Sequence, residues 1–152
     1  MSMKILFIFV LAMNLFPKPN NSKIFPKYYV HIVNELRQNQ DLFIHCKSAD
    51  NDLGRHNLLK GQEFGWSFRL NFFGTTLFWC NLAPNERCSA KLVVFQNSQY
   101  LFDRCGYEQR CIWIARDDGV YLRNNAMKID EFQRRWESAT LKPCYNMLAV
   151  SA

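Results

Sequence analysis

The stretch CIWIARDDGVYLR, residues 111–123, predicts a β-hairpin. Residues 111–116 and 119–123 are rich in the β-branched and aromatic side chains that strands prefer. Asp117-Asp118-Gly119 joins the two runs, and Asp-Gly in such a position is a strong hairpin signal because both turn positions need a positive φ. The stretch therefore predicts two antiparallel strands joined by a tight turn.

Apolar segments of strand length recur on either side of this hairpin, with polar breaks between them. In residues 29–34 and 66–71 every second side chain is apolar, which indicates that one face of each strand is buried. The predicted strands are 28–36, 42–47, 63–71, 75–82, 91–96, 111–116 and 119–123. Their spacing predicts an all-β fold, an antiparallel β-sandwich of seven to eight strands.

Residues 130–138 have a different pattern, because Phe132 and Trp136 are four positions apart. This spacing predicts a short C-terminal helix, with a strand as the alternative.

The N-terminus has the pattern of a secretory signal peptide. Met1-Ser2-Met3-Lys4 precedes the apolar run ILFIFVLAMNLF (5–16), and Pro17 ends it. This run is too short to span a bilayer, which needs about 20 apolar residues. We therefore predict a signal peptide at 1–22, a single domain at 23–152, an extracellular location and no membrane insertion; a buried first strand is the alternative for the apolar run.

The charge pattern disfavours nucleic acid as a partner. Loss of Lys4 and Lys18 with the signal peptide would lower the formal charge from +6 to +4. The remaining basic residues are scattered among acids and aromatics, without the basic run or stripe that nucleic-acid binding requires.

The 6 cysteines all follow the predicted signal peptide, and an even number in an exported chain predicts disulfides. A zinc site is the alternative, but it needs closely spaced cysteine pairs. The nearest pairs, Cys80 with Cys88 and Cys105 with Cys111, are too far apart. We predict no metal and no cofactor.

The stretch LFIHCKSADNDLG (42–54) resembles a catalytic or metal site at first sight. A calcium loop would alternate its ligands and end in glutamate, whereas the polar residues here are consecutive and the twelfth position from Asp50 is Gly61. Acid-base cleavage of RNA needs two convergent groups, and only His31, His45 and His56 are available. A polar turn is the better interpretation, and the sequence offers no support for an enzyme.

A series of blocks gives the most specific pattern in the chain: VHIVNEL (30–36), LFIHCKS (42–48), DNDLG (50–54), WSFR (66–69), TTLFWC (75–80), Cys105 and CIWIARDDGVY (111–121). In this order, from about residue 28 to the end of the chain, they resemble the plant self-incompatibility S-protein homologues. The resemblance implies a small secreted β-sandwich that acts as a ligand in recognition. It also implies that LFIHC is a strand, that SADNDLG is the turn after it, and that Gly54 relieves a left-handed backbone position.

The resemblance makes Cys46 a disulfide partner, while Cys88 and Cys144 lie outside the family pattern. We predict bridges Cys46–Cys111 and Cys80–Cys105, leaving Cys88–Cys144, although the sequence does not choose among the pairings of six cysteines.

We therefore predict a secreted extracellular ligand or recognition module whose partner is a cell-surface receptor protein, and not an enzyme. A secreted hydrolase or ribonuclease is the first alternative, and a defence or toxin-like protein is the second.

Two loops are candidates for recognition. The first, 97–110, carries residue types common in binding hot spots or adaptable polar contacts: Tyr100, Asp103, Arg104, Tyr107 and Arg110. Its alternative role is an ordinary connection whose Tyr100 and Phe102 cover an edge of the sandwich. The second candidate is the turn formed by Asp50, Asn51, Asp52, Arg55 and His56.

Overall fold

The computed structural model describes residues 25–37, 39–140, 142 and 144. The predicted signal peptide lies outside these residues. The described part of the chain forms ten strands and one helix: β1 (Lys27–Asn34), β2 (Leu42–Lys47), β3 (Asp52–Leu58), β4 (Glu63–Arg69), β5 (Leu77–Ala83), β6 (Cys88–Gln96), α1 (Gln99–Cys105), β7 (Arg110–Arg116), β8 (Gly119–Asn124), β9 (Ile129–Arg134) and β10 (Glu137–Ser138). No helix among them is long and apolar enough to cross a bilayer.

The strands form two five-stranded sheets, which confirms the predicted all-β sandwich, although the ten strands exceed the seven to eight that were predicted. The first sheet has the order β4-β1-β7-β8-β9, and the second has the order β10-β6-β5-β2-β3. Every pair is antiparallel except β1 with β7, which run parallel, with Tyr29 opposite Arg110. The prediction of a wholly antiparallel sandwich was wrong at this pair.

The core lies between the two sheets and follows the alternation in the sequence. In β1 the even positions are buried, so one face of the strand is buried as predicted, and His31 and Val33 share the other face. The sheets also meet through a hydrogen bond, because the indole N–H of buried Trp113 donates to the Val94 carbonyl at 2.9 Å. Burial of each large apolar side chain stabilises the fold by roughly 1.5–3 kcal/mol.

Asn34 is fully buried at the end of β1, where a polar residue is unusual. Its amide donates to the carbonyls of Gln40 and Leu58, each at 2.8 Å. Its side-chain oxygen accepts the N–H of Leu36 at 2.9 Å. One side chain thereby satisfies backbone groups of two separate connections.

The hairpin at 111–123 is confirmed, but its turn differs from the prediction. Arg116 pairs with Gly119, so the two turn residues are Asp117 and Asp118, and neither has a positive φ. Gly119 is instead the first residue of β8, with φ 151°. A Cβ at this position would collide with the backbone carbonyl of Arg134, so glycine lets β9 approach β8.

The predicted C-terminal helix at 130–138 was wrong, because β9 and β10 occupy this region. The side chains of Phe132 and Trp136 do not share a face: Phe132 is half exposed, while Trp136 is 2% exposed. The indole N–H of Trp136 donates to the Arg116 carbonyl at 2.7 Å. Tertiary contacts therefore override the helical spacing.

The segment 50–54 is only partly a turn. Strand β3 begins at Asp52 and pairs with β2, so the sequence missed this strand. Its pattern is hard to recognise because β3 is polar and mostly exposed. The left-handed backbone predicted at Gly54 is confirmed, with φ 83°.

The disulfides are Cys46–Cys80, Cys88–Cys144 and Cys105–Cys111. The predicted Cys88–Cys144 bridge agrees, whereas the predicted Cys46–Cys111 and Cys80–Cys105 bridges were wrong. Cys46 and Cys80 face each other on the paired strands β2 and β5, with Cα atoms 4.1 Å apart. Helix α1 brings Cys105 back to Cys111 at a Cα distance of 4.4 Å.

Candidate recognition surface

The first candidate loop contains a helix that the sequence did not predict. Helix α1 begins after Ser98, whose side chain accepts the N–H of Leu101, a typical N-cap contact. It ends at Gly106, which has φ 66° and bonds back to the carbonyl of Phe102. Leu101 and Cys105 are buried and fix the helix to the sandwich.

Three predicted recognition residues on α1 make intramolecular contacts. The guanidinium of Arg104 lies 3.6 Å from the ring centroid of Tyr100 and bonds to Glu131 at 2.5 Å. The hydroxyl of Tyr100 donates to Gln133 at 3.0 Å, and Asp103 accepts from Gln99 at 2.6 Å. The contacts of Tyr100 and Arg104 attach α1 to β9, as the alternative role of an ordinary connection requires.

The other two residues lie on the short segment 106–110, which is presented to solvent. Tyr107 is fully exposed, and Arg110 is exposed beside Glu108 at 3.6 Å. The Cys105–Cys111 bridge closes this segment. The amide of Asn125 donates to the carbonyls of Cys105 and Arg110 at 3.0 and 2.7 Å, so the segment is held at both ends.

In the second candidate loop, too, some residues make intramolecular contacts and others are exposed. His56 is not free for recognition, because its ring stacks on Phe64 at 3.9 Å and bonds to the Leu53 carbonyl. Asp50, Asn51 and Arg55 are exposed. The structure thus leaves these three side chains accessible in the second loop.

Asp52 organises the start of β3 through three partners. It accepts the N–H of Gly54 at 2.9 Å, and it contacts His45 at 2.7 Å and Lys47 at 3.0 Å. The Gly54 hydrogen bond, followed by those of Lys47 and His45, holds the pKa of Asp52 well below its usual range. Asp52 therefore stays ionised and positions His45 instead of serving as a general acid.

A charged cluster on the first sheet was not predicted from the sequence. Arg116 bonds to Glu35 at 3.0 Å and to Asp130 at 2.5 Å, and Arg123 bonds to Asp130 at 2.9 Å. The cluster adjoins an open cleft of about 460 Å³ that Tyr121 also lines. Arg123 and Asp130 are directly opposite in the β8–β9 register, so this pair would have been apparent had 130–138 been predicted as a strand.

The ionised carboxylate of Asp130 makes the stability of the fold depend on pH. The hydrogen bond from Arg123, with that from Arg116, lowers the pKa of Asp130 below its ordinary value. A carboxyl with a lowered pKa in the folded state contributes stability above its unfolded pKa, and this contribution is lost as pH falls through the folded pKa. The free energy of unfolding that separates wild type from Asp130→Asn should therefore shrink between about pH 5 and pH 2 in urea titrations. The non-titrating change Asn51→Ala serves as the control, and a constant gap for Asp130→Asn would refute this role.

The three histidines do not converge on one site. His31 lies on the first sheet and contacts Glu63 at 3.3 Å, whereas His45 and His56 lie on the second sheet. His45 contacts Asp52, and His56 packs on Phe64. Within the described residues, no group of three His, Cys, Asp or Glu side chains is arranged to hold a metal ion.

Comparisons with known proteins identify the family. The family model for plant self-incompatibility protein S1 matches residues 29–136. The chain belongs to the plant self-incompatibility protein S1 family. Members of this family are small secreted plant proteins.

Two family members and one solved structure show how far the likeness extends. S-protein homolog 1 of Arabidopsis thaliana is 41% identical over 111 residues, which cover 73% of this chain and 72% of the relative. Self-incompatibility protein S1 of Papaver rhoeas is 33% identical over 119 residues, covering 78% and 83%. A solved structure described as a self-incompatibility protein homologue, from a family of small, highly stable, secreted plant proteins, superposes with a TM-score of 0.59 at 18% identity. It covers 76% of this chain and 98% of the other. This structural likeness supports the S1-family fold.

Proposed function

We propose that this S1-family protein is an extracellular ligand that binds a cell-surface receptor protein, and that it is not an enzyme. The observation that carries the proposal is the segment 106–110. Its Tyr107 side chain is fully exposed, and the Cys105–Cys111 disulfide closes the loop. A pre-organised loop loses little conformational entropy on binding, and Tyr and Arg are the residues that most often dominate binding energy.

We propose that the receptor contact involves fewer residues than the two candidate loops contain. Tyr107 and Arg110 form the main contact, and the exposed residues Asp50, Asn51 and Arg55 form a second one. Tyr100 and Arg104 support the loop by fixing α1 to β9, whereas Asp103 bonds to Gln99 within α1. We also infer that residues 1–22 are removed on export.

Labelled protein and its variants test the loop on the plant cell surface that wild type labels. Tyr107→Ala and Arg110→Ala should each lower binding about tenfold or more at unchanged melting temperature, because both side chains project into solvent. Asp103→Ala is the matched control, since in the part of the chain that the structure describes its carboxylate has one hydrogen bond, from Gln99 on its own helix, and it should bind as wild type does.

Full binding by both Tyr107→Ala and Arg110→Ala would show that 106–110 is scaffold. The hydrolase alternative is tested with RNA, glycan and peptide substrates. Turnover that is abolished in a folded His45→Ala variant would overturn the non-enzymatic proposal.

A further inference from the structure

Two adjacent phenylalanines are exposed in the loop 70–76 between β4 and β5. Phe72 and Phe73 are 79% and 83% exposed. Burial of large aromatic side chains normally stabilises a fold. Two adjacent phenylalanines that stay exposed to solvent therefore indicate a contact surface.

Hydrogen bonds hold this loop in one conformation. The side-chain oxygen of Asn71 accepts the N–H of Thr75 at 2.8 Å, and the Asn71 N–H donates to the Thr76 hydroxyl at 3.0 Å. Gly74, with φ 66°, donates to the Asn71 carbonyl. The two rings therefore project from a fixed turn.

More exposed apolar side chains lie at the same end of the sandwich, which we call the β1 end because β1 begins there. Strand β7 begins at this end because it runs parallel to β1. The turn 125–128 also lies there, because β8 runs antiparallel to β7. Tyr107, just before β7, is fully exposed, and Met127 in the turn is 66% exposed.

Four cations lie at the same end of the sandwich. Lys27 and Arg69 are paired across β1 and β4 at this end, and Arg110 begins β7. Lys128 ends the turn that carries Met127, and all four cations are exposed.

Both ends of the sandwich carry mixed charge, since Arg37 and Lys60 lie among the carboxylates at the opposite end and Glu108 lies beside Arg110 at the β1 end. What distinguishes the β1 end is that Lys27 and Arg69 lie at the strand ends that adjoin the loop with the two exposed phenylalanines. Cations in this position attract an anionic surface.

We propose that the β1 end docks on a membrane surface that bears anionic lipids. Phe72 and Phe73 enter the interfacial region, where aromatic side chains are favoured, and Lys27, Arg69 and Lys128 contact lipid headgroups. Both phenylalanine side chains are largely exposed, as side chains that enter a soft lipid surface need to be.

This contact is shallow and differs from a membrane span. The sequence did not indicate this contact, because two phenylalanines in one loop have no distinguishing sequence pattern. The contact does not depend on the proposed receptor role, and its test leaves Tyr107 and Arg110 unchanged.

Vesicle sedimentation tests the proposal with the mature protein. Wild type should sediment with phosphatidylcholine vesicles that contain phosphatidylserine, and more weakly with phosphatidylcholine alone or at high salt. The double variant Phe72→Ser with Phe73→Ser should have a vesicle partition coefficient at least about tenfold lower than that of wild type. Lys27→Gln with Lys128→Gln should weaken binding to the anionic vesicles only.

Leu59→Ser is the matched control, because Leu59 is 54% exposed in the loop between β3 and β4 at the opposite end. It should bind vesicles as wild type does, and all variants should keep the wild-type circular dichroism spectrum. Failure of wild type to bind anionic vesicles, or equal binding by the double phenylalanine variant, would overturn the proposal. If wild type did not bind vesicles but self-associated, and the double phenylalanine variant did not self-associate, the β1 end would be a contact between copies of this chain instead.

Discussion

Replacing Asn34 with alanine is expected to lower the free energy of unfolding by about 3–5 kcal/mol, because each hydrogen-bonding group left unpaired in the interior costs about 1–3 kcal/mol. Asn34→Ala would leave three backbone groups without their partner: the carbonyls of Gln40 and Leu58 and the N–H of Leu36. Urea denaturation under oxidising conditions would measure the loss.

Two further variants separate the hydrogen bonds from the loss of volume. Asn34→Asp keeps an acceptor for Leu36 but places an oxygen against two carbonyls, so it should destabilise the fold at least as much as alanine does. Asn51→Ala changes an exposed asparagine and should stay within about 0.5 kcal/mol of wild type. If Asn34→Ala matched Asn51→Ala, the buried amide would not be holding the two connections.

Trp136→Ala should cost about 3–5 kcal/mol, the usual range for removing a buried tryptophan. Trp136 is 2% exposed, and its indole N–H bonds to the Arg116 carbonyl. Its own carbonyl accepts the N–H of Cys144, so the same residue fixes the backbone beside the Cys88–Cys144 bridge. Equilibrium unfolding in urea, followed by circular dichroism, would give the difference.

Phe132→Ala is the natural comparison for Trp136→Ala, because Phe132 is half exposed and meets Tyr121 at the surface. It should cost about 1 kcal/mol or less. Trp136→Phe should fall between the two, since it keeps most of the apolar contact and loses the hydrogen bond. Equal losses for Trp136→Ala and Phe132→Ala would contradict the core role of Trp136.

The sequence predicted the sandwich because its buried strands alternate or carry continuous apolar runs. Strands β1, β2 and β7 are within two residues of their predicted bounds at each end. Strand β3 was missed because its exposed polar residues resemble a turn. Helix α1 was missed because its capping signal, Ser98 before the helix and Gly106 after it, frames only seven residues.

The disulfide errors have a physical origin in the register of the strands. Pairing of Cys46 with Cys80 depends on β2 lying beside β5, and a sequence pattern does not give the order of strands in a sheet. Pairing of Cys105 with Cys111 depends on the tight return of the chain at Gly106.

The candidate surface was only partly predictable for a similar reason. Composition identified Tyr107 and Tyr100 equally well, because both are tyrosines in one polar segment. Only the structure shows that Tyr100 bonds to Gln133 while Tyr107 projects into solvent. The same holds for Phe72 and Phe73, whose exposure depends on the turn around Asn71.

The parallel pairing of β1 with β7 has a kinetic consequence for the newly made chain. One edge of β1 is able to pair with β4 once residue 69 has been synthesised, but the other edge waits for residues 110–115. Contacts between such distant segments form slowly, and folds that depend on them take about milliseconds to seconds. An unpaired strand edge meanwhile offers a template for association with other chains. The edge of β1 that pairs with β7 therefore stays exposed until residue 115 has been synthesised.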